Sequence, residues 1–235
     1  MSSEKVLGIR STMNDEWQMN VRNLMDRAPK IQPKSEVITK TEKGYHRMTY
    51  EEVQKRATRI ASALHNELKI RPGERIGSLM WNNGNHFLLF YAVPSMGAVL
   101  HTLNHRLHPS ELSYIIRHAK DQVIFTDLIC ICIIKLKKKK KKKRKKKYVC
   151  SQNWKTKFDN VISLNELESL GKEHFNWPNL DERTGCGLCY TSGTTGDPKG
   201  VLYSHRSTFL HTLTLIGTDI MHLSGLDCVF PIVPM

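Results

Sequence analysis

Hydrophobic residues recur at helical spacing in the clearest segment of the chain, residues 50–67. They fall three and four positions apart, which places them on one face of an α-helix. The residues that share this face are Val53, Ala57, Ile60, Ala61 and Leu64. Thr49 followed three positions later by Glu52 is a capping-box pattern, in which each side chain accepts a hydrogen bond from the backbone of the other residue. The pattern predicts an amphipathic helix that begins directly after Thr49.

Short apolar runs and helical patterns then alternate along the chain. Pro94 is expected to kink the first of these helices or to set its last turns, and Ser110 is the predicted cap of the second. Strands that alternate with helices are typical of a parallel sheet with helical crossovers, both faces of which are covered. The predicted fold class is therefore α/β, with parallel or mixed sheets. The predicted strands and helices are, in chain order, residues 75–81, 87–98, 99–104, 110–118 and 122–126.

Fewer signals mark the two ends of the chain. A helical segment is predicted at residues 17–26, within an otherwise polar stretch. After residue 157 an amphipathic pattern resumes, followed by a strand, a helix capped by Ser204 and a last apolar strand. These elements are predicted at residues 158–170, 187–190, 204–216 and 229–233.

Positive charge is concentrated in one tract. The chain has 36 lysines and arginines against 22 acidic residues, a formal net charge of +14. Without the twelve basic residues between Lys135 and Lys147, 24 basic residues remain against 22 acidic ones. Adjacent like charges repel and cannot be buried, so residues 128–157 are predicted to be a disordered, low-complexity insertion. The alternative is that the tract binds nucleic acid or an anionic membrane surface, although no aromatic residues alternate with its charges.

No secretory or membrane signal is evident in the sequence. The first residues are polar, and the longest apolar runs are too short to cross a bilayer. The six cysteines are scattered, and Cys186-x-x-Cys189 lacks the second pair that a zinc site needs. We interpret this pair as part of a buried strand and expect a reducing, intracellular location; cytoplasm, mitochondrion and peroxisome all stay open.

Residues 190–201 carry the most specific functional signal. Hydroxyls, glycines and one lysine are packed into a short loop that follows the apolar strand at residues 187–190. Small residues let the backbone approach an anion, backbone N–H groups and hydroxyls then surround phosphate oxygens, and a lysine adds positive charge. The composition predicts a loop that binds a triphosphate.

Two common phosphate-binding signatures do not fit this loop. The pattern G-x-x-x-x-G-K-[ST] needs a glycine where Pro198 stands, and G-x-G-x-x-G needs one where Thr195 stands. Residues 190–201 instead resemble, without interruption, the signature of the adenylate-forming enzymes, with Asp197 at its most variable position. Within that superfamily the chain resembles medium- and long-chain fatty acyl-CoA synthetases of the methylmercaptopropionate-CoA ligase type. Further resemblance is carried by residues 49–50, 71–76, 91–99, 102–107, 188–192 and 202–207.

The resemblance implies an N-terminal adenylation domain in two parts. Residues 1–127 correspond to its first part and residues 158–235 to its continuation, with the 128–157 insertion in place of a folded stretch of the family. The family continues beyond the position of Met235 with acidic residues for magnesium and ribose and with a small domain that carries a catalytic lysine. We therefore expect this chain to be an incomplete and inactive form of such an enzyme.

The resemblance also implies the reaction and its site. A carboxylic acid, of the fatty-acid type, is activated with ATP and Mg²⁺ to an acyl-adenylate, and coenzyme A then takes the acyl group. Lys199 is the implied catalytic residue, and it would stabilise the loop and the negative charge that the loop binds. Together with Lys199, the implied phosphate-binding residues are Thr191, Ser192, Gly193, Thr194, Thr195 and Gly196. No metal-binding residue is predicted, nucleic acid is not the expected partner, and the oligomeric state stays open.

The remaining candidates are given structural roles. His205 lies at the start of the predicted helix after the loop, and we expect it to have a structural role. Tyr190 is expected to pack at the end of its strand. The nearby histidines do not follow metal-ligand spacing and are placed at surface or turn positions. These histidines are His101, His105 and His108.

Overall fold

The computed structural model describes residues 8–9, 11–13, 16–128, 130, 147–151, 161–191 and 196–232. Helices and strands alternate along most of this part of the chain. In chain order the elements are α1 (Val21–Ile31), β1 (Glu36–Thr41), β2 (Gly44–Thr49), α2 (Tyr50–Asn66), β3 (Arg75–Leu79), α3 (Gly84–Ser95), β4 (Val99–Thr102), α4 (Pro109–His118), β5 (Val123–Thr126), β6 (Lys147–Cys150), β7 (Val161–Ser163), α5 (Leu164–Leu170), β8 (Gly185–Thr191), β9 (Lys199–Ser204) and α6 (His205–Ile216).

A seven-stranded sheet forms the centre of the structure. Its strand order is β7-β6-β5-β3-β4-β8-β9, and every neighbouring pair is parallel except β8 and β9, which form an antiparallel hairpin. A separate hairpin pairs β1 with β2. The α/β fold class that the alternating pattern predicts is confirmed, and the sheet is mixed because of the hairpin at its end.

Apolar side chains cover both faces of this sheet. On one face, helices α1, α2, α3 and α5 pack on buried strand residues that include Ile76, Phe125 and Val149. On the other face, Leu112 and Ile115 of α4 pack on strand and loop residues. Burial on both sides explains why the strands have continuous apolar runs instead of alternating ones.

Helix α2 begins where the capping box predicts. The Thr49 hydroxyl accepts a hydrogen bond from the Glu52 N–H (3.2 Å), and the Glu52 carboxylate accepts one from the Thr49 N–H (2.7 Å). Pro94 lies in the last turn of α3, which ends at Ser95, and so sets the end of that helix as predicted. Local caps and breakers therefore determine these boundaries.

Three predicted helix starts are displaced. Helix α3 begins at Gly84 and not at Phe87, because the Asn83 side chain accepts the His86 N–H and caps the helix there. The first helix begins at Val21 and not at Trp17, because the Asn20 side chain accepts the Asn23 N–H and caps the helix there. Helix α4 begins at Pro109, one residue before the predicted cap, because proline fits a first helical position where no N–H donor is needed. The cap is therefore His108, whose Nδ1 accepts the Ser110 N–H (3.4 Å).

The β1–β2 hairpin, β7 and β9 are not predicted from the sequence, and one predicted strand does not form within the described residues. The turn of the β1–β2 hairpin ends at Gly44 with φ +132°, in the left-handed region that favours glycine. The strand predicted at residues 229–233 is wrong for residues 229–232, which are not in a strand, and Val233 lies outside the described residues. Val229 and Phe230 are exposed and have no neighbouring strand, in the part that the structure describes, with which to pair.

The prediction of disorder for residues 128–157 is wrong for residues 147–150. These form β6, paired in parallel with β5 on one side and β7 on the other. Val149 and Cys150 are fully buried there, and the apolar Tyr-Val-Cys sequence after the last lysine supplies a strand that the sheet can bury. Residues 129, 131–146 and 152–157 of the predicted insertion lie outside the described residues, so their disorder and the division into 1–127, 128–157 and 158–235 stay predictions.

Across the described ranges, none of the helices combines the length and the apolar character that crossing a lipid bilayer requires.

Candidate functional site

The hairpin of β8 and β9 carries both ends of the predicted phosphate loop. Thr191, the last residue of β8, pairs with Lys199, the first residue of β9, and Tyr190 pairs with Gly200. The loop that the hairpin closes therefore comprises residues 192–198. Of the predicted phosphate-binding residues, Thr191, Gly196 and Lys199 are described; those that lie outside the described residues are Ser192, Gly193, Thr194 and Thr195.

Thr191 and Lys199 flank the opening of this loop. Side chains of directly paired residues point to the same face of an antiparallel pair, with Cβ atoms about 5 Å apart. Both side chains are exposed, so a hydroxyl and an ammonium group are presented together to solvent. Gly196 has φ +107°, a conformation that L side chains rarely adopt, and a Cβ there would meet no heavy atom of the described residues within 4 Å. Among the described residues, none therefore occupies the space beside the Gly196 backbone.

Tyr190 connects the base of the loop to the rest of the sheet. Its hydroxyl lies 2.6 Å from Nδ1 of His118, the last residue of α4. Its ring lies 5.2 Å from the ring of His101 on β4 and packs among apolar residues on the α4 side of the sheet. Burial is the main cause that raises the pKa of Tyr190, so its phenol stays protonated at neutral pH. The prediction that Tyr190 packs at the strand end agrees with these contacts.

The prediction that His101 lies at the surface or in a turn is wrong. It lies in β4 with its side chain fully buried, and its Nδ1 is 2.9 and 3.0 Å from the two carboxylate oxygens of Asp121. Because β4 lies between β3 and β8, its residues face covered sheet surfaces, and a buried histidine needs a partner such as this carboxylate. His105 and His108 are, as expected, in the loop after β4 and at the cap of α4. The apolar neighbours of His101 in sequence were the signal that it was buried.

His205 has structural contacts and no exposed atoms. It is the first residue of α6, and its Nδ1 accepts a hydrogen bond from the backbone N–H of Val21 (3.3 Å). Burial lowers the pKa of His205 to about 4, so the ring is neutral at physiological pH. These contacts join α6 to α1 and agree with the structural role expected for it.

The two cysteines of the Cys186-x-x-Cys189 pair lie on opposite faces of β8 and do not form a metal site together. Cys186 and Cys189 are three positions apart on β8, so they point to opposite faces of the strand, and only Cys186 is buried. The buried-strand interpretation therefore holds for Cys186 and is wrong for Cys189. Within the described ranges, no three His, Cys, Asp or Glu side chains lie close enough together to hold a metal ion.

A small cavity lies beside Tyr190, on the side of the sheet that α4 covers. Its volume is about 190 Å³, and polar groups of Thr102 and Cys189 contact each other at 3.3 Å on its wall. The lining residues are Thr102, Leu103, Asn104, Leu107, Ile115, Cys189 and Tyr190. The sequence does not indicate this cavity, because β8, which supplies Cys189 and Tyr190, is distant along the chain from β4 and α4.

Comparison with known proteins identifies the family. The family model described as AMP-binding enzyme matches residues 25–235, and the chain belongs to this family. The chain is 38% identical over 219 residues to the 3-methylmercaptopropionyl-CoA ligase of Ruegeria lacuscaerulensis, a match that covers 92% of this chain and 40% of the relative. It is 37% identical over 236 residues to the long-chain-fatty-acid–CoA ligase of Thermus thermophilus, covering 100% of this chain and 42% of the relative. The predicted resemblance is confirmed, and the chain spans about two fifths of the length of these curated relatives.

Solved structures show the same fold. An anthranilate CoA ligase, AuaEII, in complex with anthranoyl-AMP superimposes with a TM-score of 0.66 at 21% identity, covering 80% of this chain and 34% of that protein. A long-chain-fatty-acid CoA ligase from Rhodopseudomonas palustris superimposes with a TM-score of 0.67 at 20% identity, covering 84% and 47%. The mixed sheet with its terminal hairpin is therefore the fold of the corresponding part of such ligases.

Proposed function

We propose that this chain forms the triphosphate-binding part of an ATP-dependent acyl-CoA ligase. The proposal is carried by one observation: the uninterrupted sequence signature at residues 190–201 lies on a hairpin that places Thr191 and Lys199 side by side at the opening of the loop. Membership of the AMP-binding family supports it. In this role the loop holds the β- and γ-phosphates of ATP.

The residues at the hairpin suit an anion of this kind. Lys199 supplies a mobile positive charge, the Thr191 hydroxyl supplies a hydrogen-bond donor, and Gly196 leaves the backbone open to close approach. Charge accumulates on the β,γ-phosphates when pyrophosphate leaves, and fixed donors aimed at that charge lower the barrier. Lys199 therefore acts by electrostatic stabilisation, as the catalytic assignment requires.

The complete reaction needs groups that the hairpin does not supply. We propose that the acid substrate is a carboxylic acid of the fatty type, since relatives are named as medium- and long-chain-fatty-acid CoA ligases. ATP, Mg²⁺ and coenzyme A are the co-substrates and metal used by ligases of this family. No acidic cluster of the described residues is suited to hold Mg²⁺. The metal would reach the loop on the phosphates of ATP, where it offsets their charge.

Two measurements test this proposal. In ATP–pyrophosphate exchange with fatty acids of several chain lengths, we expect no exchange by this chain alone, because it spans only two fifths of its relatives. Calorimetric titration with MgATP should nevertheless show binding. Clear acid-dependent exchange would contradict the first expectation, and the absence of ATP binding would contradict the proposal itself.

Lys199→Ala provides the residue-level test. Loss of a charge-assisted contact to phosphate should weaken MgATP binding by about tenfold. Lys172→Ala is the matched control, since it removes an equally exposed lysine from outside the hairpin and should leave the affinity unchanged. Equal affinities of Lys199→Ala and the wild-type chain would refute the role assigned to Lys199.

A further inference from the structure

The end of the β8–β9 hairpin extends beyond the last pairing with the sheet. Strand β4 pairs with β8 only at Leu100↔Gly187 and His101↔Leu188. Thr191 lies three residues further along β8, which is about 10 Å at the rise of an extended strand. On the other side of the hairpin, β9 is the terminal strand of the sheet. The loop opening therefore depends on side-chain contacts, and not on strand pairing, for its position relative to the sheet.

Tyr190 is the side chain that spans this unsupported end. It pairs with Gly200, where a Cβ would lie 3.1 Å from the Tyr190 Cζ atom, so the phenol ring lies across both strands of the hairpin. A second link, between the Thr102 hydroxyl and the Cys189 thiol at 3.3 Å, joins the hairpin to β4 one residue earlier. Sulfur hydrogen bonds are weak, so Tyr190 provides the stronger connection.

His118 and His101 contact Tyr190 from two sides. His118 hydrogen-bonds the phenol hydroxyl at 2.6 Å, and its ring meets the phenol ring edge to face at 90°. Tyr114, one turn earlier on α4, stacks on the His118 ring at 5.5 Å and so limits its movement. His101 lies at 5.2 Å from the phenol ring and is held in place by its buried contact with Asp121. The position of Tyr190 is thus set by α4 and β4 together.

We propose that His118 is a positioning residue for the phosphate loop, acting through the hydroxyl of Tyr190. It fixes Tyr190, which in turn fixes the paired ends of the loop, Thr191 and Lys199, relative to the sheet. His118 itself does not contact phosphate. The functional part of this inference rests on the proposed function, because it assumes that the loop binds the phosphates of ATP.

The experiment compares MgATP affinity in five purified variants of the full 235-residue chain at about 150 mM salt. Tyr190→Phe and His118→Leu each remove the hydrogen bond and should weaken binding by about five- to tenfold. The double variant should be no weaker than either single one, since both remove the same contact. His118→Asn retains a polar atom near the position of Nδ1 and should bind within about twofold of wild type. Tyr203→Phe, which removes an exposed phenol hydroxyl from β9, is the matched control.

Amide hydrogen exchange gives a second readout that does not need ATP. Exchange at Thr191, Lys199 and Gly200 should accelerate in Tyr190→Phe and His118→Leu, and the wild-type rate should return in His118→Asn. Exchange in α2 and β3, which lie in the core, should not change. A general loss of stability would accelerate exchange in those elements as well, and that result would overturn the inference.

The two proposals fail in different ways. If the wild-type chain binds MgATP and Tyr190→Phe and His118→Leu bind equally well, the positioning role is overturned and the proposed function stands. Failure of His118→Asn to restore affinity would also overturn it. If the wild-type chain binds no MgATP, the proposed function fails, and exchange at Thr191, Lys199 and Gly200 decides alone: acceleration that His118→Asn reverses supports the positioning role, and unchanged exchange overturns it.

Discussion

Removing the carboxylate of Asp121 is the perturbation whose effect follows most directly from the structure. Both oxygens of this carboxylate lie within 3.0 Å of Nδ1 of His101, and both side chains are fully buried. Nε2 of His101 is also buried and has no hydrogen-bond partner among the described residues. Asp121→Ala would therefore leave an imidazole in the core with neither nitrogen satisfied.

The expected cost is about 3 kcal/mol of unfolding free energy. A hydrogen bond to a charged group contributes about 1.5–3 kcal/mol, and an unsatisfied buried donor costs about 1–3 kcal/mol. Water can enter the space that the carboxylate leaves, so the expected cost lies in the lower half of the sum of these two contributions. For a chain of this length each kcal/mol lowers the thermal midpoint by about 2–4 °C, so a decrease of about 6–12 °C is expected.

The assay is a double-mutant cycle measured by urea and thermal unfolding. His101→Leu replaces the imidazole with an apolar group and leaves the carboxylate buried without its partner. The double variant with Asp121→Ala should be more stable than the sum of the two single effects by at least about 1 kcal/mol, because the groups contact each other. Asp219→Ala, at an exposed carboxylate, should leave the midpoint where it is.

Strict additivity in this cycle would mean that the buried contact between His101 and Asp121 contributes nothing to stability. A midpoint of Asp121→Ala that matches wild type would mean the same. Asp121→Ala is also expected to affect β8, because the His101 ring packs against Tyr190 of that strand.

Two other predictions concern stability. Burial lowers the pKa of His205 to about 4, below its ordinary value near 6.5. Between these two pH values the unfolded chain binds a proton at His205 that the native chain does not bind. The free energy of unfolding should therefore fall as the pH decreases from about 6.5 to 4, by up to about 1.4 kcal/mol per pH unit for this group. His205→Asn keeps an acceptor for the Val21 N–H and should flatten this dependence in urea unfolding measured at several pH values; an equal slope would contradict the assignment. Gly171→Ala should destabilise the fold by about 1–3 kcal/mol, because a Cβ there would overlap the Arg59 carbonyl oxygen on α2. Its control is Gly187→Ala, where a Cβ meets nothing within 4 Å, and equal unfolding midpoints of the two variants would be inconsistent with the packing described.

The parts of the fold that local sequence determines were predictable. Thr49 and Glu52, which lie three positions apart, specify the start of α2. Pro94 marks the end of α3, and this signal does not depend on distant residues. The parallel arrangement of the sheet follows from the alternation of strands and helices. Strand β6 was not predictable because a lysine tract precedes it and only three apolar residues signal it, while its stability comes from β5 and β7 on either side.

In the candidate site, too, the local features were predictable from the sequence and the long-range contacts were not. The loop at residues 190–201 was identifiable because its signature is continuous in the sequence. The contacts of its base were not, because His101, His118 and Asp121 are about 70 to 90 residues away from Tyr190 and meet it only after β4 and β8 pair. The apolar run around His101 signals its burial, but the sequence does not reveal Asp121 as the partner that allows it.

Calorimetric titrations of the chain with magnesium tripolyphosphate and with adenosine, at about 150 mM salt, decide whether residues 190–201 bind a triphosphate. We expect that tripolyphosphate binds, that adenosine does not, and that Lys199→Ala weakens the tripolyphosphate affinity by about tenfold. Tripolyphosphate binding that is unchanged in Lys199→Ala would assign the anion to another basic part of the chain. That result, or the absence of tripolyphosphate binding, would mean that the loop does not hold the triphosphate.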